Sequence, residues 1–149
     1  MHLFDEVAEL AKALAPAEVG EIHVKAHRRG VKLWCTTLEA GREHYEAQLI
    51  PRRFVDGMDG AAIEIGFHAE HKEPTKNDLA IAPLLESQNV WETSLGGEPE
   101  IGVFLGADNW RRASEVWIEP DLDDPELAFE LASRVIDYVS ATEPFRNPT

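Results

Sequence analysis

The stretch A-I-E-I-G-F-H-A at residues 62–69 limits the fold more than any other. Ile63, Ile65, Phe67 and Ala69 fill its odd positions, while Glu64, Gly66 and His68 take even ones. An extended chain points successive side chains to opposite sides, so a period of two marks a strand with one buried face. A helix would scatter the same apolar residues around its circumference. A sheet must therefore exist to hold this segment.

Other segments supply its neighbours. In E-I-H-V-K-A-H-R-R-G-V-K-L-W-C-T-T, Ile22, Val24 and Ala26 alternate on one arm and Val31, Leu33 and Cys35 on the other. A turn at Arg29-Gly30 would set Ala26 opposite Leu33 and Val24 opposite Cys35, which puts both rows on one face. Tyr45, Ala47 and Leu49 alternate before Pro51, and two Asp-Gly turn signals follow in P-R-R-F-V-D-G-M-D-G. Later, Ile101, Val103 and Leu105 form a row, and a loop G-A-D-N-W-R-R leads into the strand A-S-E-V-W-I-E.

Helical spacing appears in three places. Phe4, Val7, Leu10, Ala11 and Leu14 form a stripe that Pro16 ends. Pro74 to about Asn89 reads as a helix capped by Thr75 or Asn77 and kinked or split at Pro83. V-W-E-T-S-L fits either a helix end or a short strand. In D-D-P-E, Asp124 is placed to cap and Pro125 to open a last helix.

The expected fold is an α+β two-layer sandwich in the order α-ββββ-α-ββ-α. Its mostly antiparallel sheet has about five to seven strands, with about three helices on one face. At 149 residues the chain suits one domain, taken as residues 1–143, with 144–149 as a loose tail. The layout resembles that of small secretion-chaperone-like domains, which share a helix–strands–helix–strands–helix order. That likeness is one of architecture, with no motif behind it.

The formal net charge is −14, which opposes contact with nucleic acid or an anionic membrane. Seven basic residues face five acidic ones between Glu21 and Gly57, so the charge is uneven. No apolar run approaches the roughly 18 residues of a membrane helix. With no signal-like start and Cys35 as the single cysteine, a cytoplasmic setting is expected.

Chemistry is concentrated in G-F-H-A-E-H-K-E-P-T-K-N-D at 66–78. His68 and Glu70 share a face of the strand with Glu64, and imidazole and carboxylate at i and i+2 converge well enough to hold a divalent metal. His44, on the polar side of the preceding strand, would join if the two strands are neighbours. His71 would join if the backbone turns there. The pattern is neither H-E-x-x-H nor H-x-x-E-H, and the row is expected on a solvent-facing or groove-facing polar surface.

Elsewhere, Lys25, Arg28, Arg29 and Lys32, with Trp34 among them, have the composition of a phosphate or nucleic-acid face. Trp34 and Trp117 are expected opposite the apolar rows, where large aromatics call for a partner, a ligand or the chain's own cover. The leading expectation is a non-catalytic binding domain that joins a protein partner or itself as a homodimer. The alternative is a metal-assisted hydrolase built on His44, His68, Glu70 and His71. A nucleic-acid accessory domain using the basic hairpin comes third.

Overall fold

The computed structural model describes residues 2–35, 42–51, 61–104 and 106–146. In chain order its elements are α1 (Leu3–Leu14), β1 (Ile22–His27), β2 (Gly30–Cys35), β3 (Glu43–Ile50), β4 (Ala62–Ala69), α2 (Pro74–Glu86), α3 (Gln88–Leu95), β5 (Glu100–Phe104), β6 (Ala107–Ile118) and α4 (Leu127–Arg146). The six strands form one antiparallel sheet in the order β1-β2-β3-β4-β6-β5. This is the α+β class expected, with one helix more than the sequence suggested.

The odd rows face the helices. Leu33, Tyr45, Ile65 and Phe67 are fully buried in one cluster with Phe4 and Val7 of α1 and Leu131, Val135 and Val139 of α4. On α1 the buried stripe leaves Asp5 and Glu6 in the first turn, where the helix dipole favours acids. The hairpin turns at Arg28-Arg29, so Val24 faces Leu33 and Ile22 faces Cys35. That slips the pairing by two residues from the expected one. Because the side-chain period is also two, each side chain keeps its face.

Several local readings change. The expected loop G-A-D-N-W-R-R is almost all strand, since β6 starts at Ala107. Two contacts from α2 fix that segment: Asn77 Nδ2 donates to the Asn109 carbonyl at 2.7 Å, and Arg111 Nε donates to Asp78 at 2.8 Å. Asn77 is therefore buried between α2 and β6, and Glu73 takes the N-cap position of α2. The helix runs through Pro83 and stops at Ser87; V-W-E-T-S-L belongs to α3, with Trp91 Nε1 donating to the Leu84 carbonyl at 2.8 Å.

At the other end, the Asp124 carboxylate accepts the Glu126 N–H at 2.9 Å and α4 begins at Leu127, two residues beyond Pro125. It continues through Pro144 and Phe145 to Arg146, where a loose tail was expected. Arg146 lies over the Phe67 ring at 4.1 Å and pairs with Glu43. Residues 147–149 and the Asp-Gly signals lie outside the described residues. No helix among those described is long and apolar enough to cross a membrane.

Candidate metal centre

On the face away from the helices, antiparallel pairing of β3 and β4 sets His44 directly opposite His68. Each histidine starts the same tripeptide pattern, His44-Tyr45-Glu46 and His68-Ala69-Glu70. In each, the middle residue turns to the helix face, where Tyr45 Oη meets Thr142 at 2.8 Å. Since the strands run in opposite directions, Glu46 and Glu70 flank the histidine pair from opposite ends. Two H-x-E units related by a local twofold thus bring four side chains to one point.

The ligand-type atoms close a ring. His44 Nε2 lies 3.0 Å from Glu46 Oε1 and 3.4 Å from Glu70 Oε2. His68 Nδ1 lies 3.4 Å from Glu46 Oε1 and 3.2 Å from Glu70 Oε2. All four atoms fall within 4.8 Å of one another. Bonds of about 2.0–2.1 Å in a tetrahedral zinc site imply ligand–ligand edges of about 3.3–3.5 Å, and right-angled first-row sites give about 3.0 Å. The four edges match these spacings.

Hydrogen bonding orients the ring of His68. Its Nε2 is 2.7 Å from Glu64 Oε2 and 2.9 Å from Oε1, so Nε2–H donates to that carboxylate. Nδ1 is then left as a fully buried nitrogen with no hydrogen-bond partner among the described residues, directed between Glu46 and Glu70. A carboxylate behind one ring nitrogen, with the other directed between two further carboxylates, is the arrangement of an imidazole that binds a metal on losing that second proton.

Glu46 is held in the same way. His27 Nδ1 accepts the Arg29 N–H at 3.3 Å, which leaves Nε2–H to donate to Glu46 Oε2 at 3.1 Å. Glu64 also accepts from Gln48 Nε2 at 2.9 Å. Behind Glu46, Gly66 cannot carry a side chain: a Cβ would sit 2.3 Å from the Ala113 carbonyl oxygen.

The charges are strongly coupled. Burial alone would raise the carboxyl groups, but contacts with the two imidazoles outweigh it and hold Glu46 well below the carboxylate range and Glu70 near about 2. Glu64 is also lowered, because the charge and hydrogen bond of His68 overcome its desolvation. Burial pulls His68 down, yet the charge of Glu64, its hydrogen bond and the closeness of Glu46 and Glu70 push it well up. The cluster is built to keep its carboxylates ionised in a dry place, which is unusual without a function.

This burial overturns the expectation of an open polar surface. His44 and His68 have no exposed area. Phe104 packs edge-on against His68 with ring centres 4.7 Å apart, and Trp110 packs in turn on Phe104 at 5.6 Å. Above Glu46 and Glu70 a pocket of about 400 Å³ opens between Lys25 and Lys32 on one side and these two aromatics on the other.

The remaining expected residues divide. His71 does not reach the ring; its Nε2 is 2.7 Å from Glu43, and its N–H donates to Asn77. Trp34 shares the metal-centre face and stacks on His23 at 5.6 Å. Trp117 does not, because its partner across β4 and β6 is Ile63, which places it on the helix side. Arg28 and Arg29 form the hairpin tip, while Lys25 and Lys32 pair across β1 and β2 at the pocket wall. Glu46, Phe104 and Trp110 were not anticipated. For Glu46 a signal existed in the repeated H-x-E.

No family model, curated protein or solved structure matches this chain.

Proposed function

We propose that the protein binds one divalent first-row transition ion through His44 Nε2, Glu46 Oε1, His68 Nδ1 and Glu70 Oε2. The observation that carries this reading is the unpartnered, fully buried Nδ1 of His68, directed at two ionised carboxylates while Glu64 holds the far side of the ring. Two imidazoles with two carboxylates suit Zn²⁺, Fe²⁺, Co²⁺, Ni²⁺ or Mn²⁺ better than Ca²⁺, which prefers oxygen alone. A bound ion supplies Lewis acidity to any oxygen donor entering the pocket. Hydrolysis at this centre, the alternative raised from the sequence, needs such an occupant as well as the metal.

The test is uptake of metal by chelator-stripped protein. Elemental analysis after incubation with each ion should give about one per chain, with a rise in melting temperature. His68→Ala should abolish both. Wild-type protein that retains no ion and shows no shift removes the reading.

A second reading, a cytoplasmic non-catalytic domain that binds a protein partner or itself, is favoured by exposed apolar side chains on α2 and α3. Leu79 is 74% exposed and Val90 57%. Light scattering over a wide concentration range, with capture from lysate, decides it. A strict monomer that retains no protein counts against it.

A further inference from the structure

We infer that the pocket above the metal centre takes a small planar organic oxyanion, its charged group between the ion and the two lysines and its body against Phe104 and Trp110. This inference rests on the metal reading and adds the chemical class of the ligand.

Access is one-sided. His44 and His68 are fully buried, whereas Glu46 and Glu70 line the pocket. Whatever enters the pocket meets an ion at the carboxylate side of its coordination sphere, where carboxylates readily give up one contact to an incoming oxygen.

Charge then selects the ligand. Lys25 and Lys32 stand directly opposite each other across β1 and β2, and neither makes an ion pair among the described residues. Three carboxylates, Glu46, Glu64 and Glu70, face two ammonium groups in and beneath this pocket. With a divalent ion and neutral imidazoles the balance is one positive charge; without an ion it is one negative charge, or zero when His68 is protonated. The loaded pocket therefore attracts an anion more strongly than the metal-free pocket does.

The opposite wall sets the organic part. Phe104 and Trp110 lie edge to face, at an interplanar angle of 82°, and both line the pocket. Such a wall favours a flat apolar body, and the volume of about 400 Å³ lies at the low end for small-molecule sites. Lysine ammonium groups act as point charges without a preferred fork, so carboxylate and phosphate share the required chemistry. The experiment distinguishes them.

Full-length protein is stripped, reloaded with Zn²⁺ and assayed for metal content. It is then titrated with benzoate and with phenyl phosphate, following Trp110 fluorescence against a Trp110→Phe control and heat by calorimetry. At least one probe should bind saturably, and the tighter one names the headgroup. Binding should weaken about tenfold or more in Lys25→Ala/Lys32→Ala, whose zinc content should match wild type. It should also weaken about tenfold or more in stripped protein.

Zinc-loaded protein that binds neither probe overturns the inference and leaves the metal reading standing. So does binding of equal strength in stripped protein or in the lysine double variant. Protein that takes up no zinc overturns both.

Discussion

The helix-covered face of the sheet buries Leu33, Tyr45, Ile65 and Phe67, whereas the opposite face buries His44 and Glu46 on β3 and Glu64 and His68 on β4. The first set needs nothing more, because apolar surface removed from water is stabilising in itself. The second set carries charge, and a buried charge is costly unless every partner is in place. One face is therefore accounted for by folding, while the other keeps an unpaired nitrogen at its centre. That contrast, more than any motif, points to the histidine face as the functional one.

The sharpest way to break the contrast is to cut one residue from each face of β4. Phe67→Ala should cost about 3–5 kcal/mol in urea unfolding, because it empties a site fully enclosed by Tyr45, Arg146 and α4. The loss should be equal with and without metal. His68→Ala should instead remove the metal-dependent increment, about 2.7 kcal/mol for wild type at a hundredfold excess of ion over Kd. If Phe67→Ala abolished metal binding while leaving the protein folded, the two faces would not be independent.

A smaller effect tests their connection. Gly66→Ala places a methyl group 2.3 Å from the Ala113 carbonyl oxygen and 2.6 Å from Ser114 Cβ, forcing β4 and β6 apart. A loss of about 1–3 kcal/mol is expected, together with weaker metal uptake, since His68 and Glu64 ride on the same strand. Melting temperature and metal content measure the two effects separately. Unchanged uptake would mean that the centre tolerates movement of β4.

Much of this division was legible in the sequence. Alternation at 62–69 fixed the parity of Phe67 and His68, and helix periodicity identified α1 and most of α4. Parity states which side a residue takes and is silent on whether that side is covered. The His/Glu row was therefore expected in the open, because nothing local announces that Phe104 and Trp110 fold over it. Glu46 was missed for a related reason: its place beside His68 depends on the β3–β4 register, a long-range property. Trp117 was assigned to the wrong side because Val116 and Ile118 look like a core row, yet register with β4 turns Ile118 outward, 51% exposed. The G-A-D-N-W-R-R segment has the composition of a loop but is held extended by Asn77 and Asp78 from α2, which local preference does not contain.

The smallest expected effect concerns Glu115, the one carboxylate of β6 on the helix face, and it sharpens the contrast from the other direction. Its oxygens accept from Arg134 Nε at 3.0 Å and Nη2 at 2.7 Å, from Tyr138 Oη at 2.7 Å and from Trp117 Nε1 at 2.8 Å. Burial raises its pKa, but the Arg134 bond and then those from Trp117 and Tyr138 lower it further, to a net value below 4.5. A carboxylate lowered in the folded state stabilises it above the unfolded pKa, and the gain is lost as pH falls through the folded value. Wild type should therefore exceed Glu115→Gln in urea midpoint at pH 7, and the gap should close below about pH 4.5. A gap that stays constant down to pH 3 would show that charge is not what Glu115 contributes. Adding metal should leave the gap unchanged at every pH, because this acid lies on the helix face, across the sheet from the His/Glu cluster.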